Sequence, residues 1–371
     1  MVKHYDVLIV GAGASGIGIG ILLKQMGCES FCIVDKGTIG ETFRRWPIEM
    51  RFITPSFPAQ GFGQTDLNAI APKTSPAYTL DEEHPIGEDY AEYLDLLVDH
   101  YALPVEEEFE VYNLNKRKDQ LFEIETSKGD VLSKYVIWAA GEYQYPAVEA
   151  ISGAEHCLHS SQIQAWEEMD SEQYIVIGGY ESGVDAVCQL DKAQKSSTLI
   201  AKTPTWEIDS SDPSTALTPY TYKRLRKSMM NGRIELVQNQ TVVSVEKKDD
   251  KYHVYTQEGK RFTTSKQPIL ATGFKGSTSR IPKLFQFGKH GEPLVNEKDE
   301  STKCNNLFLA GPELRHGSHV FCYIYKFRQR FAVVAEEIAT RLALNTEVLE
   351  MYQKENFYLY DLSNCGERCE C

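Results

Sequence analysis

Positive charge is scarce in this sequence. Only 39 Lys and Arg face 53 Asp and Glu, which leaves a formal net charge of −14 over 371 residues. A nucleic-acid partner is therefore not expected, because such binding rests on cationic neutralisation of phosphates. Long apolar runs are missing as well: none approaches the ~20 residues that span a bilayer, so no membrane span is expected. The apolar start, MVKHYDVLIVGAGASG, runs straight into a glycine turn without a cleavage-type segment, and it reads as a strand rather than a signal peptide. The nine cysteines are odd in number and lack framework spacing, which points to a reducing, cytoplasmic compartment. Neither an HExxH helix nor a Ser–His–Asp set is evident, and no metal site is expected. The remaining composition is that of a soluble globular protein long enough for two core-bearing units.

What the chain does contain is a repeat. Tyr5 to Val10 (YDVLIV) is a near-continuous apolar run, suited to a strand buried on both faces of a parallel sheet. It leads into Gly11, Gly13, Ala14, Ser15 and Gly16, then a helical stretch, a second short strand (FCIV, Phe31 to Val34) and Asp35 with Lys36. This is GxGxxG with an acid ~20 residues on, the dinucleotide-binding arrangement. The first glycine makes the tight turn, the second lets the backbone reach a pyrophosphate, and the third lets helix and strand pack closely. The helix N-terminus offers free N–H groups to the phosphates, and Asp35 can accept the ribose hydroxyls.

A second copy lies 167 positions on (178 − 11). Gly178 and Gly183 take the places of Gly11 and Gly16, with Glu181 and Ser182 between them, and the strands QYIVI and TLIA replace the first pair. Two substitutions stand out. Lys202 replaces Asp35, and a cation there attracts the 2′-phosphate that a carboxylate would repel. The first copy is thus expected to hold FAD and the second NADPH. NADH stays open, because a single lysine after a strand is also commonly a solvated residue. Tyr180 replaces Gly13, and it either holds the backbone off the pyrophosphate or swings aside and stacks on the cofactor. Each copy closes alike: YVIWAAGE (Tyr135 to Glu142, with Ala140 and Gly141) and PILATGF (Pro268 to Phe274, with Thr272 and Gly273) are apolar strands preceded by hairpin material.

These residues resemble the two-dinucleotide-domain flavoproteins, and among them the flavin-containing and Baeyer–Villiger monooxygenase family, over Tyr5 to about Leu342. The segment Ile39 to Pro58, with Gly40, Thr42, Arg44, Arg45, Trp46 and Thr54, is similar to the family's stretch near the isoalloxazine ring. NLFLAGP (Asn306 to Pro312) resembles its second FAD motif, where Gly311 and Pro312 would meet the ribityl chain. The resemblance implies further flavin contacts from Val111 and from Glu313, Arg315, His316, Ser318 and His319, ahead of a helix expected over Val320 to Leu342. One signature departs. In the family's F-x-G-x-x-x-H linker motif only His159 survives; Gly153 stands at the phenylalanine position and Glu155 at the glycine.

The expected fold is therefore α/β, with two Rossmann-like domains, each a parallel sheet flanked by helices with a small antiparallel insertion. The FAD domain would comprise residues 1–155 and 295–345, the NAD(P)H domain 165–290, and a tail 346–371 carrying Cys365, Cys369 and Cys371. The active site is expected at the domain junction. The resemblance implies an NADPH-dependent, monooxygenase-like flavoprotein acting on a small-molecule substrate, with a homodimer left open. Two alternatives stand beside it: a flavin reductase of a disulfide or other small acceptor, and a protein that carries FAD without turnover. The polar stretch Thr205 to Met230 reads as a loop and solvated helix, or as a lid in which Lys223, Arg224 or Arg226 helps the 2′-phosphate.

Overall fold

The computed structural model describes residues 2–58, 65–210, 212 and 214–362. Two compact units emerge. The first comprises Met1–Arg44, Pro55–Glu142 and Gly276–Cys371, and the second comprises Arg45–Thr54 and Tyr143–Lys275.

In the first unit, β1 (Lys3–Val10) buries its last four residues completely or nearly so, as its apolar run predicts. The helix α1 (Ala14–Gln25) follows, then β2 (Phe31–Val34), α2 (Gly87–Tyr101), β3 (Val105–Glu106), β4 (Val111–Lys116), β5 (Phe122–Thr126) and β6 (Val131–Trp138). Strands β3, β2, β1 and β6 lie side by side and parallel. The two halves of β6 have different outer neighbours. Its first half pairs antiparallel with β5, and its last three residues pair parallel with a late strand, Leu307–Leu309. That sharing sets Val10, Val34, Trp138 and Leu309 along one carboxyl edge, where ligands bind in open α/β sheets.

The second unit repeats the plan. Its strands are β7 (Leu158–His159), β8 (Gln173–Ile177), β9 (Ser196–Ile200), β10 (Ile234–Val237) and β14 (Ile269–Leu270), with the spatial order β10-β9-β8-β14-β7, all parallel. Helix α3 (Glu181–Lys192) joins β8 to β9, and α4 (Pro219–Met229), capped by the Thr218 hydroxyl, leads to β10. A separate antiparallel sheet, β11 (Val242–Lys248), β12 (Lys251–Thr256) and β13 (Arg261–Thr264), supplies the insertion. The fold class is as the sequence implies.

The boundaries differ from expectation. They fall at Glu142/Tyr143 and Lys275/Gly276 rather than near 155–165 and 290–295, and Arg45–Thr54 joins the second unit. The cause is local: Glu49 accepts the amides of Trp166 and Glu167, and the Gln164 carbonyl accepts that of Ile48. The described part of the tail expected over 346–371 belongs to the first unit and includes a helix, Leu349–Lys354; Cys365, Cys369 and Cys371 lie outside the described residues. The helix expected from Val320 starts only at Ile324, because His319–Val320 pair with Arg315–His316 as a hairpin, and it becomes regular over Phe331–Leu342. Among the described residues no helix is long and apolar enough to cross a membrane, and no group of three His, Cys, Asp or Glu side chains could hold a metal ion.

Candidate functional site

The two glycine turns are the same object built twice. Gly11 has φ of +113° and Gly178 +119°, a region open to glycine. A Cβ on Gly16 would fall 1.9 Å from the Gly11 carbonyl oxygen, and one on Gly183 would fall 1.7 Å from that of Gly178. The hydrogen bonds correspond as well. The Gly11 amide donates to Val34 O and the Ala139 amide to Val10 O; in the second unit Gly178 donates to Ile200 O and Ala271 to Ile177 O.

The first cradle suits an anionic cofactor. Helix α1 begins after Gly13 with neither a side-chain cap nor an acidic residue in its first turn, so its N–H groups remain for a diphosphate. Beyond its own chain neighbours, no atom of the described residues stands within 4 Å of where a Cβ on Gly13 would be. Asp35, at the end of β2, accepts the Ala12 amide at 2.8 Å and the Gly37 amide at 2.9 Å. These bonds orient the carboxylate and leave lone pairs for ribose hydroxyls. Burial raises its pKa, against the lowering effect of the two amides. Gly311 arrives from the late strand with φ of +112°, and a Cβ there would lie 3.1 Å from the Ser15 hydroxyl, so the second motif meets the first at the start of α1. Ala140 and Gly141 follow β6 on the same edge, and Gly141 O accepts the Ser277 amide. Val111 starts β4 two residues after Phe109, whose amide donates to Asp35 O. The residues present fit FAD.

The other expected flavin contacts have the following neighbours. Thr42 and Arg44 lie on a single helical turn, Glu41–Arg44, and Arg44 is ion-paired with Glu88 and Asp95 of α2. Trp46 and Thr54 belong to the segment carried by the second unit. His316 Nε2–H donates at 2.5 Å to Asp299, a fully buried carboxylate also held by Arg330. Ser318 sits exposed at the hairpin tip, Lys36 is exposed after β2, and Pro312 O accepts from Arg315. Glu313 accepts the amide and the hydroxyl of Thr278 rather than standing clear.

In the second cradle Tyr180 has the extended backbone of Gly13 (φ −110° against −89°), and its hydroxyl donates to Ala216 O at 3.3 Å. The ring has swung towards the 205–218 segment. That segment also reaches the turn through the Thr205 hydroxyl, which donates to Gly179 O, and the Thr218 amide, which donates to Glu181. Ser182 lies in the first turn of α3, and Lys202 is exposed just beyond β9. Just beyond β14 the Thr272 hydroxyl donates to Ala147 O, and Gly273 O lies 3.2 Å from His159 Nε2. With Nε2–H as donor, His159 Nδ1 accepts the Ser161 amide, and burial holds its pKa below the usual value. The turn fits a pyridine nucleotide.

A family profile described as pyridine nucleotide-disulphide oxidoreductase matches residues 8–311, both cradles included. The chain belongs to that family. This oxidoreductase is therefore FAD-dependent and works with a pyridine nucleotide. An uncharacterized oxidoreductase, CzcO of Bacillus velezensis, is 28% identical over 51% of this chain, and the match spans only 52% of that relative's length. Bacilliredoxin reductase Bdr of Bacillus subtilis is 22% identical over 90% of this chain and 97% of its own. Among solved structures, bacillithiol disulfide reductase Bdr (YpdA) from Staphylococcus aureus superposes with a TM-score of 0.73 at 19% identity, covering 92% of this chain and 99% of that one. A flavin-containing monooxygenase from Stenotrophomonas maltophilia gives 0.69 at 16% identity, covering 92% and 100%.

One group in this oxidoreductase escaped sequence reasoning. Burial, together with the Glu313 charge and against that of Arg315, pushes the Glu142 carboxyl up to about 7. Its only sequence signal is an acid directly after the Ala-x-Gly end of β6. All the described cysteines but Cys322 are buried; burial pushes the Cys28 and Cys188 thiols up to about 11 and Cys157 to about 12.

Proposed function

We propose that this oxidoreductase uses NADPH to reduce a small disulfide. The observation that carries the choice of acceptor is Gly153. It stands where the monooxygenase linker motif has phenylalanine, with φ of +79° and its Cα so close to β11 that a Cβ would fall 1.9 Å from Val245 O. No aromatic side chain fits there. The surviving His159 ties the end of β7 to Gly273, which is a positioning role. The likeness over 92% of this chain to the bacillithiol disulfide reductase Bdr supports the same acceptor class. Burial raises the Cys28, Cys157 and Cys188 thiols above the usual value and keeps them protonated, which supports an external disulfide rather than a relay through them.

Bound FAD would supply the hydride-accepting and electron-donating chemistry, and the balance is NADPH + H⁺ + RSSR → NADP⁺ + 2 RSH. The chain's own part is placement. The free amides at the start of α1 hold the diphosphate, Asp35 holds the ribose, and the turn at Gly178 with Lys202 holds NADPH.

A second reading, oxygenation, is favoured by the whole-length likeness to the flavin-containing monooxygenase. Steady-state assays of NADPH oxidation with a panel of low-molecular-weight disulfides, run with and without oxygen, separate the two. The reductase reading expects thiol release that does not need oxygen. Oxygen-dependent product formation with no disulfide turnover would overturn it.

A further inference from the structure

The cradles differ at the residue that opens the helix. Ala14 opens α1, whereas Glu181 opens α3 and puts a carboxyl group at the end where free amides face the ligand. Glu181 Oε1 accepts the Thr218 amide at 2.6 Å, which fixes the side chain. Its other oxygen, Oε2, is buried and has no hydrogen-bond partner among the described residues. A buried carboxylate oxygen without a donor is costly, and protonation turns it into a donor in need of an acceptor. A diphosphate, the ligand a glycine turn before a helix is built for, offers only acceptors and brings negative charge.

The surroundings leave the carboxyl without a cation of its own. Asp185, one turn further along α3, adds negative charge. Arg224 of α4 is the nearby cation, but it is paired with Asp185 and lies over the Tyr220 ring. From the start of α4 come the neutral Thr218 and Thr221, and from the turn itself comes Tyr180, whose hydroxyl goes to Ala216 O. Burial already holds the Glu181 pKa above the ordinary carboxylate range, outweighing the lowering effect of the Thr218 amide.

We propose that Glu181 takes up a proton when the pyridine nucleotide docks on the second cradle, and that its Oε2–H then donates to a diphosphate oxygen. This rests on the nucleotide reading given under Proposed function. Nucleotide affinity is coupled to pH through one residue that the first cradle lacks. The neutral carboxyl binds the diphosphate, and the ionised one repels it. Affinity therefore falls with rising pH, by up to about tenfold per unit between the free and bound pKa values.

The test is calorimetric titration of the flavin-loaded protein with NAD⁺ and with NADP⁺, between about pH 5 and 9, in buffers of different ionisation enthalpy. NAD⁺ lacks the 2′-phosphate and its own titration, so its proton uptake reports the protein. Wild type is expected to take up close to one proton per nucleotide where free Glu181 is ionised. E181Q, which keeps an oxygen for the Thr218 amide, is expected to take up none and to bind with a flat pH profile; its thermal midpoint reports whether the fold is intact. Binding without proton uptake in wild type, or uptake that persists in E181Q, would overturn this proposal alone. Failure of either nucleotide to bind wild type or variant at any pH would overturn the nucleotide reading and this proposal together.

Discussion

The Asp35 carboxylate accepts the Ala12 amide at 2.8 Å, which fastens the acid at the end of β2 to the turn that opens α1. The second cradle has no such link, because Lys202 cannot accept; there the Thr205 hydroxyl donates to Gly179 O. Asp35→Ala leaves the Ala12 and Gly37 amides without that acceptor and removes the ribose contact. We expect a loss of about 1–3 kcal/mol in unfolding free energy and a protein purified with less flavin, partly restored by excess FAD. Denaturant unfolding and flavin content check both; a variant that keeps its full flavin complement would contradict the role.

Gly13 and Gly16 separate two reasons for a glycine. A methyl at Gly16 meets the Gly11 carbonyl, whereas one at Gly13 meets no described atom within 4 Å beyond its own chain neighbours. Gly16→Ala is expected to cost about 2–4 kcal/mol of unfolding free energy, as backbone must move, and so to lower the thermal midpoint sharply. Gly13→Ala is expected to leave the unfolding of the flavin-free protein unchanged while weakening FAD retention. Equal effects of the two substitutions on the flavin-free protein would contradict the assignment.

We propose that Lys202 carries the choice between nicotinamide cofactors. Lys202→Glu should raise KM for NADPH by about tenfold or more, equivalent to ~1.4 kcal/mol, and leave KM for NADH little changed. Parallel steady-state assays decide it, and a uniform change in both would mean that Lys202 is a solvated surface residue.

Glu142 makes stability depend on pH. Its carboxyl is pushed from 4.5 up to about 7, so the folded chain holds the proton more tightly than the unfolded one. Its contribution is intact below the unfolded value and is lost as pH rises towards 7, by up to ~1.4 kcal/mol per pH unit. Glu142→Gln is expected to flatten that slope and to be the more stable form at alkaline pH. Unfolding midpoints across this window, with saturating FAD, give the comparison; parallel slopes for both proteins would contradict it.

The cradles were legible in the sequence because each is settled by neighbours in a short stretch: a strand, a turn whose glycines touch one another, a helix and a second strand. What the sequence hid is non-local. Glu49 caps the amide of Trp166 across 117 positions and so draws Arg45–Thr54, with Trp46 and Thr54, into the second unit. His316 is tied to Asp299, and no periodicity announces a buried carboxylate at that distance. Arg44 lies within a motif-like stretch yet pairs with Glu88 and Asp95, whose partners a helix pattern leaves unspecified. The glycine at position 153 looked like a lost signature; its φ of +79° shows a tight turn against β11.

The central claim is that FAD sits on the first cradle, a pyridine nucleotide on the second, and that electrons leave to a small disulfide. Anaerobic mixing of the flavin-loaded protein with NADPH, followed by a small disulfide, tests it most directly. The account predicts that the yellow flavin band bleaches with NADPH and returns on adding the disulfide, with two thiols released per NADPH consumed. A chain that stays colourless with excess FAD, or a band that NADPH leaves untouched, would contradict it.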